Sequence, residues 1–370
     1  MIHVGSFIWY YYFPLLVIIV SLVGKPTKKK GILVFFMLFF FTCFRGDYVG
    51  NDTLNYMRDF SYLGGSFQFK EFEDINSLSR NAEVSNILLN KLLFNLGFSD
   101  RSIITAYSII TYVFILIAQK LYKFNLLYFC LLYVLTNMFF MTFNLARQLC
   151  AVSILLVAYY YFMQDGGKNL INFILLVIFA ATMHMSAFFS LLILPLRWVK
   201  LDRKVAITIT GLVSGFFIIS VFNPLGIIMD LFNFDYVTRY QGLYDDYNRS
   251  LVGKLFSLFF LFSNLFLFYS VKVKFGKDGL SQKCSTLDIL FLVSIIIDSL
   301  FDAANGMMSR IAMNFSIIQC VYLAFLLPEI RFRKLDFKAI ILFLYILLSL
   351  YSVGSFGYNG AFITGYYLMF

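Results

Sequence analysis

The sequence reads as an all-α, polytopic integral membrane protein, with about twelve transmembrane helices plus short interfacial helices. Three observations carry that reading. Hydrophobic residues make up 61% of the 370 and charged residues only 14%, with a mean hydropathy of +0.81. A soluble domain averages about a quarter charged residues, so too little polar surface exists here to coat a water-soluble globule or to keep a chain disordered. The apolar residues also fall in long unbroken runs, where a β-barrel would alternate apolar with polar. Finally, Lys and Arg gather in every second connection, the charge pattern that orients membrane helices.

The runs lie near 6–23, 31–44, 102–119, 125–143, 145–163, 169–184, 186–199, 205–222, 251–271, 287–305, 311–327 and 338–356. The first is followed by Lys25, Lys28, Lys29 and Lys30. A signal peptide carries its charge before the apolar stretch, so this one is expected to be a true span with its C-terminal end in the cytoplasm. The second is short but wholly apolar, and its flanking lysines can snorkel. Segment 84–97 carries Asn86, Asn90, Lys91 and Asn95. At 1.5 Å per residue it reaches only about 21 Å, so it is expected to lie in, or dip into, the outer interface. The run 186–199 is weak and is expected to form a broken helix with 169–184. Alternation from the first basic loop then puts on the inside Lys120 and Lys123; Lys168; Arg197, Lys200, Arg203 and Lys204; Lys272, Lys274, Lys277 and Lys283; and Arg331, Arg333, Lys334 and Lys338.

Residues 1–370 are expected to form a single transmembrane domain, since no repeat or linker marks a second. Two outer loops are sizeable, 45–101 and 223–250. In the first, Phe67, Phe69, Phe72, Ile75 and Leu78 recur at near-helical spacing among Lys70, Glu71, Glu73 and Asp74, the pattern of an amphipathic helix on the membrane surface. The net charge of +10 is accounted for by topology-setting loops, and no polar region is large enough for a nucleic-acid site. The five cysteines are scattered without a CxxC, and two histidines, His3 and His184, cannot build a histidine metal cluster.

Polar residues converge at the outer helix ends: Arg45 after the second run, Arg147 near the top of 145–163, Arg310 opening 311–327, and His184 closing 169–184. On this topology all four share one membrane depth. Arginine near a span is costly and usually has a partner or a task. Guanidinium groups offer forked donors to phosphate oxygens, so an anionic substrate with its tail in the bilayer would suit them. The plainer alternative is that each arginine snorkels or pairs with a local Asp to pin a loop. Asp52-Thr53 is either a helix N-cap or part of a rigid loop presenting a carboxylate. His184 is either a packing residue or a group that accepts a proton near neutral pH. Tyr240, Tyr244 and Tyr247 form either an interfacial belt or a sugar-stacking surface beside Asp245 and Asp246.

Together these clusters resemble the EpsG-like branch of the Wzy polysaccharide polymerases. The resemblance rests on Arg45, Gly46, Val49, Gly50, Asp52, Thr53, Asn55 and Tyr56; on Asn144, Arg147 and Gln148; on His184, Ser186 and Ala187; and on Ser309 and Arg310. Asn314-Phe315 stands where such proteins are expected to carry Tyr-Phe. The resemblance implies a fold similar to the membrane glycosyltransferases (GT-C-like). It also implies a metal-independent polymerase of O antigen, capsule or exopolysaccharide in the bacterial inner membrane, active at the periplasmic face. Donor and acceptor would be oligosaccharides on undecaprenyl diphosphate, with membrane lipid around them and a chain-length regulator as a further partner; no cofactor is implied. Arg147 and Arg310, helped by Arg45, would hold the diphosphate, and Asp52 or His184 would be the base. Asn144, Gln148, Tyr240, Tyr244 and Asp246 would meet sugar. The rivals are a flippase of the same lipid, expected to carry charges on broken helices near the midplane, a membrane O-acyltransferase using His184, and a non-catalytic assembly subunit.

Overall fold

The computed structural model describes residues 16–66 with short gaps, 83–198, 284–302 and 307–329, and isolated positions at 211, 265 and 268. The described residues are helical, with no strand among them. The chain divides into two compact units, one of Met1–Phe188, Leu323–Pro328 and Lys338–Phe370, the other of Phe189–Tyr322 and Glu329–Phe337.

In the first unit, α1 (Lys28–Cys43) starts where the Thr27 hydroxyl accepts from the Lys30 N–H. Next come α2 (Thr53–Ser61), a π-helical turn (Tyr62–Ser66) and α3 (Val84–Asn95). Then follow α4 (Ser102–Tyr122), α5 (Leu126–Leu135), α6 (Met138–Asn144), α7 (Ala146–Phe162) and α8 (Gly167–Met183). A 3-10 helix (Met185–Trp198) comes after α8. Helix α7 packs against α4 and α8, and α1 packs against α5. Nearly every side chain of α7 is buried, and Ala146, Ala151, Ser153 and Ala158 keep it slim enough for close neighbours. Gly31 serves α1 likewise: a Cβ there would sit 3.0 Å from the Leu127 nitrogen.

Among the described residues two helices, Ser102–Tyr122 and Arg310–Leu327, are long and apolar enough to cross a membrane, and a third span arises if α5 and α6 count as one. Helices α7, α8 and the 3-10 helix are apolar but shorter. The span over 125–143, expected to be unbroken, is not. It bends by 62° between α5 and α6, where Asn137 adopts a left-handed φ of 61° and the Thr136 hydroxyl bonds back to the Leu132 carbonyl. Asparagine tolerates that conformation better than most residues, and its apolar neighbours conceal it in a hydropathy reading. The expected break between 169–184 and 186–199 is present at His184, whose backbone is extended. Past that break the chain winds as the 3-10 helix and contains Pro195, which has no N–H to give an α-helical ladder.

Helix α3 has its polarity turned inside out. Asn86 and Asn90 are buried, while Leu88 and Leu92 are exposed. The asparagines are bonded to each other and to Tyr107: the tyrosine hydroxyl donates to Asn86 Oδ1, and Asn90 Nδ2 donates to the same oxygen and to the Asn86 carbonyl. Such a helix suits apolar surroundings. The expected amphipathic helix over 67–78, the run 338–356, the loop 223–250 and, apart from Gly211, Leu265 and Phe268, the runs 205–222 and 251–271 lie outside the described residues.

The second unit contributes α9 (Cys284–Asp302) and most of α10 (Met307–Glu329), whose last turns belong to the first unit. Within it, Phe291 stacks on Tyr322 with centroids 3.9 Å apart.

Candidate functional site

The centre of the candidate site is the junction between α6 and α7, where a single residue, Leu145, leaves helical geometry. A helix ends with carbonyls that lack partners inside it, and its negative end favours a cation. The segment 45–56 supplies those partners. Arg45 Nη1 donates to the Thr142 carbonyl at 2.9 Å, Tyr56 Oη donates to the Asn144 carbonyl at 3.0 Å, and Thr53 Oγ1 lies 3.5 Å from the Phe143 carbonyl. The Arg45 guanidinium also sits over the Phe143 ring, 5.5 Å from its centroid. Gly50 lets this approach happen. Its φ is 84°, and a Cβ there would sit 2.2 Å from the Phe143 oxygen. On the loop's other side Arg101 grips Asp47, Nε to Oδ1 at 2.8 Å, and donates to the Arg45 carbonyl. Arg45 is 1% exposed. Its visible work is to brace a helix end, and Asp47 pins the loop.

Arg147 lies in the first turn of α7. Its Nη1 donates to Glu83 Oε2 at 2.6 Å, with side-chain exposures of 15% and 13%, and its guanidinium carbon stands 5.7 Å from the Tyr56 ring centroid. Glu83 immediately precedes α3, and its Oε1 accepts from the Met185 N–H at 3.4 Å. The same turn holds His184. The Ser186 N–H donates to His184 Nδ1 at 3.3 Å, and Ser186 Oγ lies 2.8 Å from that nitrogen. A neutral ring accepting at Nδ1 carries its proton on Nε2. Ser85 and Thr182 hydroxyls, 2.7 Å apart, tie α3 to the end of α8 beside this turn. Asn144 and Gln148 are buried at the junction.

Asp52 occupies the N-cap position of α2 without making a side-chain cap bond; Asn55 Nδ2 donates to its Oδ1 at 3.3 Å. Farther along α2, burial pushes the Asp59 carboxyl above its ordinary pKa, while the charges of Arg147 and Arg58 pull it back. Burial raises the Tyr56 phenol in the same way.

The first unit therefore brings together Arg45, Asn144, Arg147, Gln148 and His184, with Asp52 at the start of α2. Arg310 belongs to the second unit, in the first turns of α10, half-buried. Tyr240, Tyr244 and Asp246 lie outside the described residues. No group of three His, Cys, Asp or Glu converges as a metal site among the described residues.

The sequence profile of the EpsG family matches residues 28–366. The chain belongs to the EpsG family. With its apolar helices, that makes it a membrane protein of polysaccharide synthesis. No curated protein and no solved structure matches it.

Sequence reasoning missed three carboxylates of this EpsG family member. Glu83 gave no signal, because one more acid in a polar loop stands out from nothing. Asp288 and Asp298 did give one: both lie on a strongly apolar stretch, where an acid is expensive. Tyr322 Oη donates to Asp288 Oδ1 at 2.8 Å; Ser316 Oγ and Gln319 Nε2 donate to the two oxygens of Asp298 at 2.8 and 3.2 Å. These bonds join α9 to α10.

Proposed function

We propose that this protein is a lipid-linked repeat-unit polymerase, a multi-pass glycosyltransferase of the bacterial inner membrane. It would transfer a growing glycan from undecaprenyl diphosphate to the free end of another lipid-linked repeat unit at the periplasmic face. The single observation that carries the reading is Arg147, held by Glu83 and Tyr56 at a helix junction that also gathers His184. About twelve spans and a GT-C-like architecture belong to the same proposal.

Depth arithmetic supports it. Counting from the basic inner loops, the ten residues of α5 and seven of α6, tilted by 62°, rise about 20 Å; the 17 of α7 rise about 26 Å. In a core of about 30 Å, Asn144 and Arg147 then sit in the outer leaflet, at the level of a prenyl diphosphate whose tail stays in lipid.

In the reaction, an acceptor sugar hydroxyl attacks C1 of the donor sugar. The C1–O bond to the diphosphate breaks, and undecaprenyl diphosphate leaves with the electron pair. Negative charge grows on that leaving group, and Arg147 is the group that stabilises it where little water competes. Arg310 carries the same assignment from the resemblance. Arg45 serves by bracing the junction, and Asn144 and Gln148 meet sugar, as do Tyr240, Tyr244 and Asp246. His184, with its ring proton on Nε2, acts as a donor to a substrate oxygen. The hydroxyl proton then goes to a carboxylate, for which Asp52 is the candidate. Proximity from two lipid-anchored substrates adds to the rate.

The test is the surface polysaccharide of cells carrying Arg147→Ala or Arg147→Lys, resolved by gel. Single repeat units in place of a ladder, at normal protein level, are expected; full-length chains would reject the assignment.

The flippase reading gains one observation, the bend between α5 and α6, since broken helices build substrate sites in transporters. Purified protein in vesicles separates the two. Labelled lipid-linked units that cross without chain growth favour the flippase; chain growth favours the polymerase.

A further inference from the structure

Glu83 joins three elements that the sequence keeps far apart. It stands at the start of α3, binds the guanidinium of Arg147 in the first turn of α7 at 2.6 Å, and accepts from the N–H of Met185 directly after His184. One carboxylate thus spans, with its two oxygens, the cation assigned to the leaving group and the turn that carries the only histidine among the described residues. The second restraint on Arg147 is the Tyr56 ring, 5.7 Å from the guanidinium carbon, and Tyr56 is itself anchored through its hydroxyl to the Asn144 carbonyl. A carboxylate at an edge and a ring at a face fix a planar guanidinium in both position and tilt.

We infer that Glu83 is the positioning residue of the reaction, setting the geometry of Arg147 and His184 with respect to each other. The inference rests on the polymerase reading and deepens it. Glu83 as a counter-ion weakens the site's pull on an anion, since an Arg–Glu pair is nearly neutral at a distance. Its benefit is therefore in orientation, felt where charge develops in the transition state and not where the diphosphate first binds. A shift of about 1 Å in such a group is enough to cost on the order of a hundredfold in rate. The Ser85–Thr182 hydroxyl contact keeps α3 docked beside the same turn without Glu83, so loss of the carboxylate removes the alignment and leaves a second tie in place.

The experiment is steady-state polymerisation by the full-length protein in nanodiscs, fed lipid-linked repeat units extracted from its own cells. Wild type is compared with Glu83→Gln, Glu83→Asp and Arg147→Ala, and the thermal midpoint of each is recorded. Glu83→Gln keeps the shape and one acceptor but loses the charge. It is expected to lower kcat tenfold or more, with KM within about threefold of wild type or smaller. Glu83→Asp, which keeps the charge on a shorter arm, is expected to recover part of kcat. A normal kcat in Glu83→Gln, or a raised KM with kcat intact, overturns the positioning role. So does a loss of kcat accompanied by collapse of the thermal midpoint in both Glu83 variants, which would make the residue a fold determinant. Arg147→Ala tells the two levels apart. If it polymerises normally, the polymerase assignment of this site falls and Glu83 with it. If it is inactive while Glu83→Gln turns over like wild type, the Glu83 inference alone falls.

Discussion

The Arg45 loop and the Arg147 junction look alike in sequence, each setting one arginine beside small polar residues at a helix end. In the structure they part. Both guanidinium groups lie over a ring, but Arg45 is 1% exposed and donates to a main-chain carbonyl, whereas Arg147 has a side-chain exposure of 15% and engages a carboxylate. A guanidinium bonded to backbone is committed to the shape of the chain. One set in place by a carboxylate and a ring is oriented by side chains, and it can share its forked donors with an arriving phosphate. Similar placement at a helix end therefore does not mean equal work.

Substitution at the two positions gives the sharpest way to break that comparison. Arg45→Ala leaves the Thr142 carbonyl buried without its charged donor and should destabilise the protein by about 3 kcal/mol, seen as loss of the folded peak after detergent extraction. Arg147→Lys retains a cation for Glu83 and should keep that peak, yet lose the polysaccharide ladder because the fork is gone. If both variants lose fold, or both lose only polymer, the distinction fails. Gly50→Ala probes the loop alone. A left-handed residue facing the Phe143 oxygen at 2.2 Å should cost about 3 kcal/mol in thermal unfolding. Tyr56→Phe removes one bond to the Asn144 carbonyl but keeps the ring against Arg147; about 1–2 kcal/mol of stability should go while most activity stays.

The smallest effect concerns pH. Burial raises the Asp59 pKa in the folded state, so its stabilising contribution is present below the unfolded pKa and is lost as pH rises through the folded value. Asp59→Asn should then melt slightly above wild type at neutral pH, and the gap should close as the buffer is acidified toward about pH 4, near the ordinary carboxylate value. A gap that widens on acidification would mean that Arg147 and Arg58 dominate the carboxylate and burial does not.

Much of the first unit was legible in the sequence because membrane helices announce themselves by composition. The helices around 31–44, 102–119, 145–163 and 169–184 fall where the apolar runs placed them. The polar clusters at Arg45, Arg147 and His184 were legible too, since charge is rare in such runs. Their partners were not. Glu83 sits 64 residues from Arg147, and nothing local distinguishes it from other loop acids. The bend at Thr136–Asn137 was hidden because both flanks are uniformly apolar, and hydropathy does not register a single left-handed residue. Pro195 marks the 3-10 helix, already in the sequence, as something other than a plain span. For Asp288 and Asp298 the information was present and went unused.

The bonds that finish the end of α6 come from residues synthesised 88 to 97 positions earlier. At ribosomal speeds of about 5–20 residues per second, the Arg45 loop waits on the order of 5–20 s before the carbonyls it will bind exist. During that interval a buried-to-be arginine must be sheltered by water, lipid headgroups or the insertion machinery. The order of synthesis thus makes the early loop a template on which the later helix pair is set down. A nascent chain halted before residue 142 would carry an arginine whose eventual backbone acceptor had not yet been made.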